Sequence, residues 1–158
     1  MSLIDDSTGE LIGRSLGCTD LKIVLSPNWG SNQNQYRLLI RQDISSQLGA
    51  EITETENVQL LDLSQVPRAA GIQISISHCR SMGGYVFSRR SERLGFDIEE
   101  IGRVKTSILE RVCSPQELNE APEREALWVA KEATLKALDL DQKMIITQIQ
   151  IDSWAAKV

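Results

Sequence analysis

The hydrophobic positions of this chain change period several times, and each change marks an element. Tyr36, Ile40, Ile44 and Leu48 recur every four residues, the spacing of one helical face. This predicts a helix capped by Ser31 or Asn32 and stopped at Gly49. Before it, residues 20–25 lead into Ser26-Pro27-Asn28 and read as a short strand closed by a turn, while the residues further upstream show no clear period. Residues 51–70 are mixed and polar, and Pro67 breaks any regular element there. The period then falls to two: Ile72, Ile74 and Ile76 alternate with Gln73, Ser75 and Ser77, predicting a strand over 72–77. Further short strands are expected at 84–88 and 94–99.

The last third reads as helical. Ser114-Pro115-Gln116-Glu117 has the pattern of a capping box with proline at the first helical position. A helix starting there is expected to break near Pro122, and a stronger one, rich in Ala, Leu, Glu and Lys, to run over 123–138. Residues 145–151 look like a strand. Helices and strands are thus mixed along the chain, which predicts an α+β or α/β domain. There is no internal repeat or low-complexity segment.

Composition narrows the function classes. The 158 residues suit one compact domain, or two small halves sharing a core. With 41% hydrophobic and 25% charged residues the chain is ordinary globular protein. A net charge of -5 argues against a general nucleic-acid binder or a polybasic membrane binder. A local basic cluster nevertheless spans Arg80, Arg89, Arg90, Arg93, Arg103, Lys105 and Arg111. Three cysteines without CxxC spacing, beside a single histidine, argue against a zinc site and for reduced thiols in a cytoplasmic protein. The first residues lack the basic and apolar regions of a signal peptide, and no apolar run approaches the roughly 20 residues of a membrane span. A soluble, intracellular protein is expected.

Three short pieces can carry chemistry. Asp97 and Glu99 flank Ile98, so on a strand both carboxylates leave the same face. The plain alternative is a solvated strand face. Trp128, Glu132 and Lys136 stack on one helical face, where Glu132 and Lys136 could equally be an exposed pair contributing about 0.2–0.5 kcal/mol. Ser77-His78 closes a strand and could donate to a phosphate, or simply end the strand at the surface.

Taken in order, Ile76-Ser77-His78, Gly95-Phe96-Asp97-Ile98-Glu99 and Trp128-x-x-Lys131-Glu132-Ala133-x-x-Lys136-Ala137 resemble the motifs of 4'-phosphopantetheinyl transferases. The surfactin-synthetase-activating type is the closer likeness, because the Ser-His element precedes the Asp-x-Glu strand. The resemblance spans about 72–138, and it implies an α+β fold of two pseudo-symmetric α/β halves, about 1–92 and 93–158, with the second half shortened. It implies Mg²⁺-dependent transfer of the phosphopantetheine arm of coenzyme A to a serine of an apo acyl or peptidyl carrier protein, releasing adenosine 3',5'-bisphosphate. The metal ligands would be Asp97, Glu99 and Glu132, with Mn²⁺ as an alternative ion. Carboxylates about 4 Å apart repel by about 4 kcal/mol at an effective dielectric near 20, a penalty that a divalent ion removes. Glu117, Glu132 and Lys136 would form the catalytic group, with Glu117 as base for the carrier serine or merely as a helix cap. Ser77, His78, Lys131, Lys136, Arg37 and Arg41 would bind coenzyme A, and the basic cluster would steer an acidic carrier. A monomer is favoured, and a trimmed relative that only binds coenzyme A or a carrier is the alternative. Two departures from the family stand out: no Gly-Lys-Pro-type segment precedes the Ser-His strand, and Cys79 stands where a second serine is usual.

Overall fold

The computed structural model describes residues 6–89, 93–138 and 145–154. Their order is α1 (Asp6–Ser15), β1 (Lys22–Ser26), α2 (Tyr36–Leu48), α3 (Glu54–Leu61), β2 (Gln73–His78), β3 (Gly83–Ser88), α4 (Thr106–Val112), α5 (Pro115–Glu120) and α6 (Arg124–Leu138). Helices and strands are mixed along the chain, as the pattern predicts. Among the described residues no helix is long and apolar enough to cross a membrane.

The three strands form one antiparallel sheet in the order β1-β3-β2. The middle strand, β3, is buried along its whole length. Its Tyr85 and Phe87 join Val24, Leu60, Ile72 and the α2 residues Ile40, Ile44 and Leu48 in one hydrophobic cluster. The four-residue period therefore does mark the face that α2 buries. Tyr85 is fully buried, and its hydroxyl donates to Asp43 Oδ2 at 2.6 Å, which meets its polar requirement inside the core. A second cluster gathers Leu109, Cys113 and Leu127, with Trp128, Ile151 and Trp154 packed against it.

The start of α2 differs from expectation. It begins at Tyr36, after Gln35 in a left-handed conformation (φ 61°), with no side-chain cap. The amides of Ser31 and Asn32 instead donate to Cys79 and Arg80 carbonyls, tying this loop to the turn between β2 and β3. Its end agrees: Gly49, at φ 50°, closes the helix and donates to the Ser45 carbonyl. The polar stretch after it holds a helix that hydrophobic periodicity misses. α3 is started by a Thr53–Glu56 capping box, the same S/T-x-x-E pattern that marks α5.

Two expected strands are absent as strands. Residues 94–99 and 145–151 are not paired in any ladder, and 146–148 form a single tight turn. Both segments are instead held by side chains. Ser75 and Ser77, the polar face of β2, are buried, and their hydroxyls accept the amides of Phe96 at 3.0 Å and Ile98 at 3.2 Å. Alternate serines thus offer the repeat that a neighbouring strand's carbonyls would offer.

On its other side the 94–99 segment lies against α6 so closely that only glycine fits at position 95. A Cβ there would stand 1.8 Å from the Ala133 carbonyl oxygen and 2.8 Å from the Ala137 nitrogen. We expect Gly95→Ala to cost at least about 1–3 kcal/mol by overpacking and to lower the thermal midpoint by several degrees in calorimetry. An unchanged midpoint would contradict this packing.

Candidate functional site

Asp97 lies where β2, the 94–99 segment and α6 converge. Its Oδ1 accepts from Ser77 Oγ at 2.7 Å and from Lys136 Nζ at 2.6 Å, and its side chain is only 10% exposed. Lys136 also donates to the Phe96 carbonyl at 3.1 Å. Three residues of the predicted site, Ser77, Asp97 and Lys136, are therefore in direct contact. Glu132 faces them one helical turn before Lys136 on α6. Its carboxyl is pushed up by burial and then by the nearby Asp97 charge, with Lys136 opposing. Glu99 is held differently. It accepts the next amide, Glu100 N, at 2.9 Å and lies 3.8 Å from Arg103.

Three oxygen-bearing carboxylates suit Mg²⁺ or Mn²⁺ in donor chemistry. Among the described residues, no group of three or more His, Cys, Asp or Glu side chains is gathered closely enough to hold an ion in this arrangement. At Asp97 the positive charge is supplied by the Lys136 ammonium.

Ser77 and His78 part company, because neighbouring residues of a strand leave opposite faces. Ser77 turns to Asp97, whereas His78 meets α2. Its Nε2 lies 3.3 Å from Tyr36 Oη, and the two rings meet edge-on with centroids 4.5 Å apart. Arg37 Nε donates to the same Tyr36 oxygen at 3.2 Å. Burial holds the His78 pKa below its ordinary value, helped by the Arg37 and Lys136 charges and opposed by Asp97. Tyr36 is a site neighbour that the sequence shows only as the first member of an apolar period.

Arg41 and Lys131 are placed elsewhere. Arg41 is buried, and its guanidinium donates to the carbonyls of Leu60, Asp62 and Gln65, fastening the corner after α3. Lys131 is 1% exposed and turns away from Lys136, as a helical wheel requires. It pairs with Glu117 Oε1 at 2.7 Å and donates to the Ile149 carbonyl. Neither is available to coenzyme A in this arrangement.

Glu117 is both cap and anchor. Its Oε2 accepts Ser114 N at 2.7 Å, completing the capping box, and Oε1 accepts Ile151 N at 3.0 Å beside the Lys131 bond. This pair ties residues 149–151 across the second cluster and explains how an extended segment survives there without a ladder. Burial raises the Glu117 pKa, but the bonds from Lys131, Ile151 and Ser114 outweigh it and hold the carboxyl down to about 2. A carboxylate so stabilised is a poor acceptor for a serine proton, so the structure favours the cap over the base.

Removing one member of a buried pair strands the other charge. Glu117→Gln should therefore cost about 3–5 kcal/mol, whereas the double variant Glu117→Gln/Lys131→Met should recover part of that loss in urea unfolding. The folded carboxyl titrates below its ordinary value near 4.5. Its stabilising effect is thus complete above about pH 4.5 and fades as the pH falls toward 2. Wild type should lose urea resistance over that window more steeply than Glu117→Gln.

Residues 93–158 match the family model described as the 4'-phosphopantetheinyl transferase superfamily. That span includes Asp97, Glu99, Glu117, Lys131, Glu132 and Lys136. No curated protein matches the chain. The resemblance carried by the motifs is therefore matched over 93–158, the segment in which the chain is similar to the 4'-phosphopantetheinyl transferase superfamily.

Proposed function

We propose that the protein transfers the 4'-phosphopantetheine arm of coenzyme A to a serine of an apo acyl or peptidyl carrier protein. The observation that carries this reading is the family match over the segment that holds Asp97, Glu99, Glu132 and Lys136. In the reaction, the carrier's serine oxygen bonds to the β-phosphorus of coenzyme A. The bond from that phosphorus to the bridging oxygen breaks, adenosine 3',5'-bisphosphate departs, and the serine proton passes to solvent or a nearby acceptor.

Asp97, Glu99 and Glu132 would hold Mg²⁺, or Mn²⁺, which when bound neutralises charge on the pyrophosphate. Lys136, which donates to Asp97 Oδ1 beside this group, would offset charge on the departing phosphate. Arg37 and His78 stand together at the start of α2 and the end of β2, a pairing that supports a phosphate site there. The basic residues between Arg80 and Arg111 would steer an acidic carrier. Arg89 is already engaged, forking onto Glu51 at 2.6 and 2.7 Å. A monomeric, cytoplasmic enzyme built of two pseudo-symmetric halves completes the reading.

A second reading has an observation of its own. With Lys136 on Asp97 and no three-carboxylate group assembled among the described residues, a relative that binds coenzyme A or a carrier without transferring is the alternative. Incubation with Mg²⁺, coenzyme A and several apo carriers, followed by mass spectrometry of the carriers, separates the two. A gain of one phosphopantetheine per carrier, abolished by chelator, is expected. Asp97→Ala should abolish the gain while the protein stays folded by circular dichroism. Calorimetric binding of coenzyme A with no mass gain on any carrier would put the binding relative ahead.

A further inference from the structure

The contacts around His78 decide more than its position. Arg37 Nε carries a hydrogen and no lone pair, so its 3.2 Å contact with Tyr36 Oη can only be a donation to the tyrosine. That fills an acceptor position on the phenol and leaves the tyrosine's own proton for His78 Nε2, 3.3 Å away. A guanidinium on the oxygen also makes the phenol a stronger donor. The edge-on ring contact and the Arg37 guanidinium 5.8 Å from the Tyr36 ring centroid hold the three side chains as one unit.

A neutral imidazole has one N–H and one bare nitrogen. Burial and the positive charges of Arg37, Lys136 and Arg103 favour the neutral ring, with Asp97 opposing. If Nε2 accepts from Tyr36, the proton must sit on Nδ1. Among the described residues, no hydrogen bond engages Nδ1.

We propose that Tyr36, oriented by Arg37, is a positioning residue that fixes His78 as its Nδ1–H tautomer, so that Nδ1 is the nitrogen that donates to a phosphate oxygen of coenzyme A. The phosphate ligand rests on the transferase reading; the tautomer does not. Tyr36 touches no reacting atom and acts through the imidazole. The neighbouring Arg37 and Lys136 supply the charge that a neutral donor lacks.

Because His78 is the only histidine in the chain, protein labelled with ¹⁵N-histidine gives one pair of ring nitrogens to read. Long-range proton–nitrogen correlation spectra distinguish a protonated from a bare nitrogen by chemical shift. In wild type, recorded above the pH at which the ring charges, Nδ1 should read as protonated and Nε2 as bare. Tyr36→Phe keeps the ring and removes the hydroxyl, and should move the population toward Nε2–H. Arg37→Met, which frees the tyrosine oxygen to accept, should shift it in the same direction by less. Coenzyme A should move the wild-type Nδ1 resonance, and its dissociation constant should rise about tenfold in Tyr36→Phe, equivalent to about 1.4 kcal/mol. A wild-type ring protonated at Nε2, or a Tyr36→Phe spectrum identical to wild type, overturns the tautomer lock. Coenzyme A that binds without moving Nδ1 overturns the phosphate contact. An Nδ1–H ring in a protein that modifies no carrier would sink the transferase reading and leave the lock standing.

Discussion

The docking of residues 94–99 between the serine face of β2 and α6 is the constraint on which the site depends. This segment has no partner strand among the described residues, yet its amides cannot be buried without acceptors. Ser75 and Ser77 provide them, and Ser77 uses one hydroxyl twice, accepting from Ile98 and donating to Asp97. Asp97 is consequently placed by the register of β2. A slip of one residue would turn isoleucines toward the segment and leave both the amides and the carboxylate without their bonds. Gly95 is the complementary requirement on the helix side, since any side chain would hold the segment away from Ala133 and Lys136.

Two glutamates on this scaffold show how surroundings divide one residue type between roles. Glu117 accepts from Lys131, from the Ile151 amide and from its own cap, and its charge is stabilised despite burial. Glu132 is half-buried near another carboxylate, and its charge is disfavoured. Glu117 holds the fold together, whereas Glu132 is kept at some energetic cost. Residues retained in such unfavourable surroundings concentrate at functional sites.

What was legible in the sequence follows the same division. Elements held by their own backbone were readable: the buried face of α2, the alternation of β2, the capping box of α5, and α6 after the break at Pro122. The 94–99 and 145–151 segments have the composition of strands, but their partners are serine hydroxyls, a lysine and a glutamate. No local pattern announces such partners. Arg41 and Lys131 misled for a related reason. Each is a cation at a plausible ligand position, and only the packing reveals that the nearest acceptors are internal carbonyls and Glu117. Helix periodicity did set Lys131 apart from Lys136, and that separation is real. The start of α2 was lost because the loop before it is tied to a turn distant in sequence.

The bonds that place Asp97 also say when it arrives. Ser77 is 20 residues before it and Lys136 is 39 after it. The first bond needs β2 and the 94–99 segment together and the second needs α6 as well, so each forms only once the chain between its partners has lost freedom. Both bonds therefore carry a loop-closure cost that the bonds within a helix do not. A bond still unmade in the transition state acts mainly on the rate at which the native state comes apart and little on the rate at which it assembles. The ratio of unfolding-rate to folding-rate change in an Asp97 variant thus reads whether the site is assembled before or after the barrier.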